Sequence, residues 1–217
     1  MVTLIFCAGA ADPFFEALEP AACHPDTLLV GVDAGAAALA SAGLAPDLAV
    51  GDFDSARPPT DTQVLRLPAE KDDTDLEAAL AYVLPQHPPE SVREILILGA
   101  LGGGRLDHLL CNVWLAHQPR FTPWLDKIRF AERYAEAAFY RAGSHVLHRT
   151  ARLRYLSFIG LSPLSSLTLS GVKYPLENRD FAYPPALVSN EFLADTMRLS
   201  FASGLVCAIQ SADCGAA

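Results

Sequence analysis

Paired cysteines, a surplus of cationic side chains and long apolar runs are all missing from this sequence. Its five cysteines, at positions 7, 23, 111, 207 and 214, are odd in number and show no Cys-x-x-Cys spacing. That argues against a disulfide framework or a zinc knuckle and fits a reducing, cytoplasmic setting. Lys and Arg total 16 against 25 Asp and Glu, a net charge of -9. A nucleic-acid backbone needs a basic face, so no nucleic-acid partner is expected. A phosphate ligand remains compatible, because a bound cation reverses the local sign. No apolar run is long enough to span a bilayer, so no membrane partner is expected. The opening "LIFC" resembles a lipoprotein cleavage box, but no basic stretch precedes it and bulky Phe6 adjoins Cys7. A first β-strand is the expectation there.

What is present suits a packed core. Hydrophobic residues make up 51% and charged residues 19% of 217 positions, enough for one large domain or two small ones. The first half alternates strand-like with helix-like segments. "TLIFCA", "TLLVGVD", "LAV", "VLRL" and "EILILG" read as strands. Helices are expected from about Ala36 to Gly43, over "DLEAALAYVL", and from about Arg105, the last turning Leu106, Leu109, Leu110 and Val113 inward. Apolar strands separated by helices predict a parallel sheet covered on both faces. Near "QPRFTPW" (Gln118–Trp124) the pattern changes. Seven short β-type stretches follow: "KIRFAE", "AEAAFYR", "SHVLHRT", "LRYLSFIG", "SSLTLSGV", "TMRLSFAS" and "LVCAIQS". The expected fold class is therefore an N-terminal α/β, Rossmann-like domain over residues 1–122 and a C-terminal antiparallel β-sandwich over 123–217.

Ligands of open α/β sheets sit at the carboxyl ends of the strands, and polar signatures fall at those places. Asp33 ends the second strand in "GVDAGA"; alone, it reads most simply as a helix cap. In "AVGDFDS", Asp52 and Asp54 follow a buried strand. Extended residues i and i+2 point the same way, and two unit charges about 4 Å apart repel by roughly 4 kcal/mol at an effective dielectric of 20. A divalent cation shared with substrate phosphates would offset that repulsion. In "EKDDTDLEAA", Thr74 and Glu77 predict a capping box with the helix starting near Asp75. Acids in a first turn are ordinary dipole compensation, but Lys71 among them is not explained that way. In "GALGGGRLDHLLCN" a strand runs into three glycines and a helix opening with Arg105, suited to bidentate phosphate contact. This is neither a P-loop nor a dinucleotide fingerprint. His145 and His148 lie three apart on a strand and face opposite ways, so they are not expected to bind metal.

Taken in series, "GDFDS", "K-x-x-T-D" and "GGR-x-D-H", with "GVKYPL" and "VSNEF" further on, resemble the thiamine pyrophosphokinase family, its bacterial branch in particular. The resemblance covers most of the chain in the correct order. It implies a transferase, a kinase of thiamine diphosphate biosynthesis: a diphosphoryl group passes from ATP to the hydroxyl of thiamine, giving thiamine diphosphate and AMP, with Mg²⁺. It implies a homodimer with active sites at the subunit interface. Asp33, Asp52, Asp54 and Asp75 match the acidic positions around the metal and polyphosphate. Lys71, Thr74, Arg105 and Asp107 match positions near the nucleotide and phosphates, and Asp54, Asp75 and Arg105 are the expected catalytic group. Ser189 and Asn190 match the "SN" beside thiamine.

Other readings compete. "AVGDFDS" mimics a D-x-D phosphatase, though such enzymes place the motif on the first strand. A diphosphokinase with another alcohol acceptor, such as a hydroxymethylpterin, would share the phosphate chemistry. A nucleotide- or thiamine-binding module without turnover would share the sites but release no AMP.

Overall fold

A computed structural model describes residues 1–9, 15, 18, 24–53, 60, 62–102 and 104–213. The chain falls into two compact units, Met1–Arg133 and Tyr134–Ala217.

The first unit is a parallel sheet. Its strands are β1 (Val2–Cys7), β2 (Thr27–Val32), β3 (Leu48–Gly51), β4 (Gln63–Arg66), β5 (Val92–Leu98) and β6 (Ile128–Ala131), in the order β6-β5-β1-β2-β3-β4. Every neighbouring pair is parallel. Both faces are covered, which is why Leu4, Ile5, Phe6, Val30 and Ile97 are all buried in consecutive rather than alternating positions. The strand order reverses beside β1: β2 to β4 lie on one side, β5 and β6 on the other. That reversal opens a crevice at the carboxyl ends of the strands, the place where such sheets take ligands.

Among the described residues three α-helices flank the sheet: α1 (Ala34–Ser41), α2 (Asp75–Val83) and α3 (Leu106–Trp114). The start of α1 lies directly on the strands. A Cβ at Gly35 would meet the Cys7 carbonyl oxygen at 1.9 Å, and one at Gly31 would meet Ala36 Cα at 2.4 Å. These two glycines allow the contact. α2 buries Leu76, Ala79, Leu80 and Val83, the stripe expected from the sequence. α3 does not behave as expected. Its one buried residue is Asn112, while Leu106, Leu110 and Trp114 are 69%, 46% and 55% exposed. The helical period holds, but much of the apolar face is exposed, with Trp114 set against the tilted His117 ring.

The stretch "KIRFAE" is β6 of the first unit, parallel to β5, so the units part after it, between Arg133 and Tyr134. The second unit is antiparallel. Four expected short stretches are two long strands, β7 (Ala135–His148) and β12 (Thr196–Ser211), paired with a register shift between Phe201 and Leu205. One half of β12 also pairs β9 (Leu164–Ser170), which carries β10 (Leu176–Phe181); the other half pairs β8 (Tyr155–Gly160), which carries β11 (Ala186–Asn190). Leu156 and Phe158 of β8 share one core with Leu167 and Leu169 of β9. The two halves therefore face each other as the layers of a sandwich. Among the described residues, no helix is long and apolar enough to cross a membrane.

Candidate active site

At the crevice beside β1 the first unit has an open cleft of about 220 Å³. Its walls come from the ends of β1, β2 and β5 and the starts of all three helices: Ala8 and Gly9, Asp33 and Ala34, Thr74 to Leu76, Gly99, Ala100 and Gly102, and Arg105 among them. Four of the residues singled out by sequence, Asp33, Thr74, Asp75 and Arg105, line this one cleft.

Asp33 occupies the N-cap position of α1 with φ 48°, and its side chain makes no capping hydrogen bond. The simplest reading of that aspartate, as a helix cap, does not hold. Its backbone N–H donates to Val50 O (2.7 Å), which ties the end of β2 to the end of β3. β3 stops at Gly51, and Phe53 has φ 54°, so the extended geometry assumed for residues 52–54 ends there. Phe53 is buried against Ala36 and Ala49. Asp54 lies outside the described residues.

Lys71 joins two of the acids. Its Nζ stands 3.2 Å from Asp75 Oδ1 and 3.9 Å from Asp52 Oδ2, and donates to Pro68 O at 3.2 Å. Asp75 Oδ1 is buried and accepts no hydrogen bond. The Lys71 ammonium is the cation that offsets its charge. Carboxylate oxygens are hard donors that suit a divalent ion, so a buried one with no hydrogen-bond donor of its own fits a metal bound here. Among the described residues, no three His, Cys, Asp or Glu side chains gather into a ready-made metal site.

α2 opens with the expected capping box. Thr74 Oγ1 accepts from Glu77 N (3.2 Å), and Glu77 Oε2 accepts from Thr74 N (2.8 Å). Arg105 is the N-cap residue of α3, and its guanidinium makes a two-point contact with Asp107, Nε to Oδ1 at 3.3 Å and Nη2 to Oδ2 at 2.6 Å. That contact lowers the Asp107 carboxyl below its ordinary value and raises Arg105.

Sequence reasoning missed the residues that hold this frame from a distance. Glu132 Oε1 accepts from the backbone N–H groups of Ala100 (2.8 Å) and Leu101 (3.0 Å). Buried Asn112 donates through Nδ2 to Ala100 O (2.6 Å). The root of the glycine loop is thus gripped from both sides. Asp73 is held by both terminal nitrogens of Arg120, each at 2.7 Å, which lowers its carboxyl below the usual range. The odd carboxylate in "EKDDTD" was a signal, but nothing local named its partner.

Ser189 and Asn190 lie on β11 of the second unit. Ser189 is exposed with φ 61° and donates its N–H to Ser157 Oγ (3.2 Å). Asn190 is buried, and its amide is occupied: Nδ2 donates to Tyr174 O, and Oδ1 accepts from the N–H groups of Tyr174 and Glu191, all at 2.9 Å. Asn190 therefore shapes the backbone at Tyr174, whose side chain is 58% exposed.

Comparisons with known proteins agree with this architecture. Residues 22–124 match the family model described as thiamin pyrophosphokinase, catalytic domain, and residues 144–206 match thiamin pyrophosphokinase, vitamin B1 binding domain. The chain is similar to the thiamine pyrophosphokinase of Bacillus subtilis (strain 168), 34% identical over 196 residues that span 86% of this chain and 88% of that protein. It is also similar to the crystal structure of a thiamin pyrophosphokinase family protein from Enterococcus faecalis, with TM-score 0.85 and 36% identity over 99% of this chain and 100% of that one. The crystal structure of thiamine pyrophosphokinase from Bacillus subtilis gives TM-score 0.84 and 31% identity over 98% and 100%.

Proposed function

The chain belongs to the thiamine pyrophosphokinase family, and from that premise we propose how its cleft carries out the reaction. The activity is ATP-dependent formation of thiamine diphosphate. The thiamine hydroxyl oxygen bonds to the β-phosphorus of ATP, the bond from that phosphorus to the α–β bridging oxygen breaks, and AMP leaves. The hydroxyl proton passes to a carboxylate or to water. Such a transfer asks a protein mainly for positioning and charge neutralisation.

The observation that carries the proposal is the convergence of Asp33, Asp75 and Arg105 on one cleft, with Asp52 joined to Asp75 through Lys71. The capping box occupies the N–H groups of Thr74 and Glu77, which leaves those of Asp75 and Leu76 at the start of α2 to meet phosphate oxygens. Lys71 and Arg105 stabilise charge building on the bridging and leaving oxygens. Asp107 orients the Arg105 fork. Asp33, Asp52, Asp54 and Asp75 are the residues that would hold a magnesium ion, which when bound neutralises polyphosphate charge. Ser189, with Asn190 setting the adjoining backbone, is assigned to the thiamine side.

The exposed apolar face of α3, with Leu106, Leu110 and Trp114, supports a homodimer. The family resemblance implies active sites at the subunit interface. The free, buried thiols of Cys7 and Cys207 support residence in a reducing cytoplasm. The alternatives, a different alcohol acceptor or a module without turnover, are not favoured by the family match. The test is to mix protein, Mg-ATP and thiamine and separate the products. AMP and thiamine diphosphate in equal amounts are expected; ADP, or no product, would overturn the proposal.

A further inference from the structure

The turn that carries Lys71, Thr74 and Asp75 also carries a carboxylate that the reaction as described does not use. Asp73 lies two residues from Lys71 and two from Asp75. Turned into the cleft, it would compete for the Lys71 ammonium and set a further negative charge where polyphosphate oxygens must come. It is not turned in. Arg120 Nη1 and Nη2 each donate to one Asp73 oxygen at 2.7 Å. Arg120 Nε donates to Gln118 Oε1 (2.7 Å), Gln118 Nε2 donates to Glu77 Oε1, and Glu77 Oε2 accepts from Thr74 N (2.8 Å). A closed circuit of side chains thus leaves the chain at residue 73 and returns to it at residue 74.

The circuit rests on firm ground. Glu77 is buried in α2, and the Arg120 guanidinium lies 4.7 Å over the ring of buried Phe121. The segment that supplies Gln118 and Arg120 is also tied to the turn that follows α2, where Trp124 Nε1 donates to His87 O at 2.9 Å. Arg120 and Asp73 are 39% and 35% exposed. A pair that exposed adds little to overall stability, so its effect is local: it fixes which carboxylates of the turn face the cleft.

We propose that Asp73 and Arg120 are positioning residues for nucleotide binding, holding the Lys71–Asp75 turn so that Lys71 and Asp75 face ATP while Asp73 is drawn away. The inference rests on the diphosphotransferase reading, and it concerns geometry, since neither residue is assigned a contact with substrate. The guanidinium fork makes all three donations at once from three nitrogens; a lysine ammonium, a point charge on one nitrogen, cannot span the same acceptors.

Steady-state kinetics of Asp73→Asn, Arg120→Ala, Arg120→Lys and the Asp73→Asn/Arg120→Ala double variant test this in the full chain. Each single variant is expected to lose roughly 10- to 100-fold in kcat/KM for Mg-ATP, with KM for thiamine within about twofold of the parent. The double variant is expected to lose no more than the worse single one, because both remove the same link. Asp73→Asn keeps size and decides alone if Arg120→Ala fails to fold. Folded variants with parental kcat/KM, or a loss that falls equally on both substrates and tracks the melting temperature, would overturn the proposal. An inactive parent would instead overturn the assigned reaction.

Discussion

Lys71 Nζ stands 3.2 Å from Asp75 Oδ1, one helical step before it in the chain, in the turn that leads into α2. The same ammonium reaches Asp52 at 3.9 Å, so one cation spans the end of β3 and the start of α2. A single positive charge between two carboxylates offsets their repulsion before substrate arrives and remains to meet phosphate afterwards. Lys71→Met keeps the stem and removes the charge. It is expected to lower kcat/KM for ATP by about 10²- to 10³-fold, read by coupled AMP detection, while the far-UV circular dichroism stays that of the parent. A loss under threefold would remove Lys71 from the phosphate-facing group.

Glu132 holds the root of the glycine loop by accepting from two consecutive N–H groups. Glu132→Ala strands both donors in a partly buried place. Stability is expected to fall by about 1–3 kcal/mol, measured by urea unfolding, and kcat to fall with it because Arg105 follows directly on that loop. Glu132→Gln keeps one acceptor and is expected to retain most of the stability. Equal stability of Glu132→Ala and parent would contradict the grip.

Burial pushes the Cys7 thiol up to about 11 and Cys207 up to about 12, from an ordinary 9.0. Both are thiols rather than thiolates at neutral pH. They are expected to resist iodoacetamide at pH 7.5 in the native protein and to react once it is unfolded, as mass spectrometry of the alkylated peptides will show. Their folded values lie above the unfolded one, so the native state holds more protons than the unfolded state between the two. The contribution to stability is full below pH 9, then declines by about 1.4 kcal/mol per thiol for each pH unit until the folded value is passed. A melting temperature flat from pH 9 to pH 11 would contradict this.

The exposed stripe of α3 predicts an association that a surface substitution can break. Leu110→Asp places a charge amid Leu106 and Trp114. Because Leu110 is 46% exposed, the monomer's stability is expected to change by less than about 0.5 kcal/mol. Sedimentation velocity is expected to show a dimer for the parent and a monomer for the variant. A parent that is monomeric at micromolar concentration would refute the dimer.

Sequence pattern carried the local features furthest. The Thr74–Glu77 capping box formed reciprocally because its signal spans three residues of one helix turn. The parallel strands were legible because burial on both faces leaves unbroken apolar runs. Hydrophobic period on α3 announced an apolar face but could not say that Leu106 and Leu110 are exposed. Contacts between distant segments left no local trace: Arg120 reaches Asp73 across 47 residues, and Glu132 reaches Ala100 across 32. Nor can "VSN" tell that the Asn190 amide is spent on the backbone of Tyr174. Asp54, which the motif couples to Asp52, lies outside the described residues.

The account turns on acids from separate strand ends directing both terminal phosphates of ATP to one hydroxyl. ATP labelled with ³²P at the α, β or γ position in turn, with thiamine and Mg²⁺, tests that most directly. Label from the β and γ positions is expected in thiamine diphosphate, and α label in AMP alone. Transfer of γ label without β, release of ADP, or label retained covalently on the protein would contradict it.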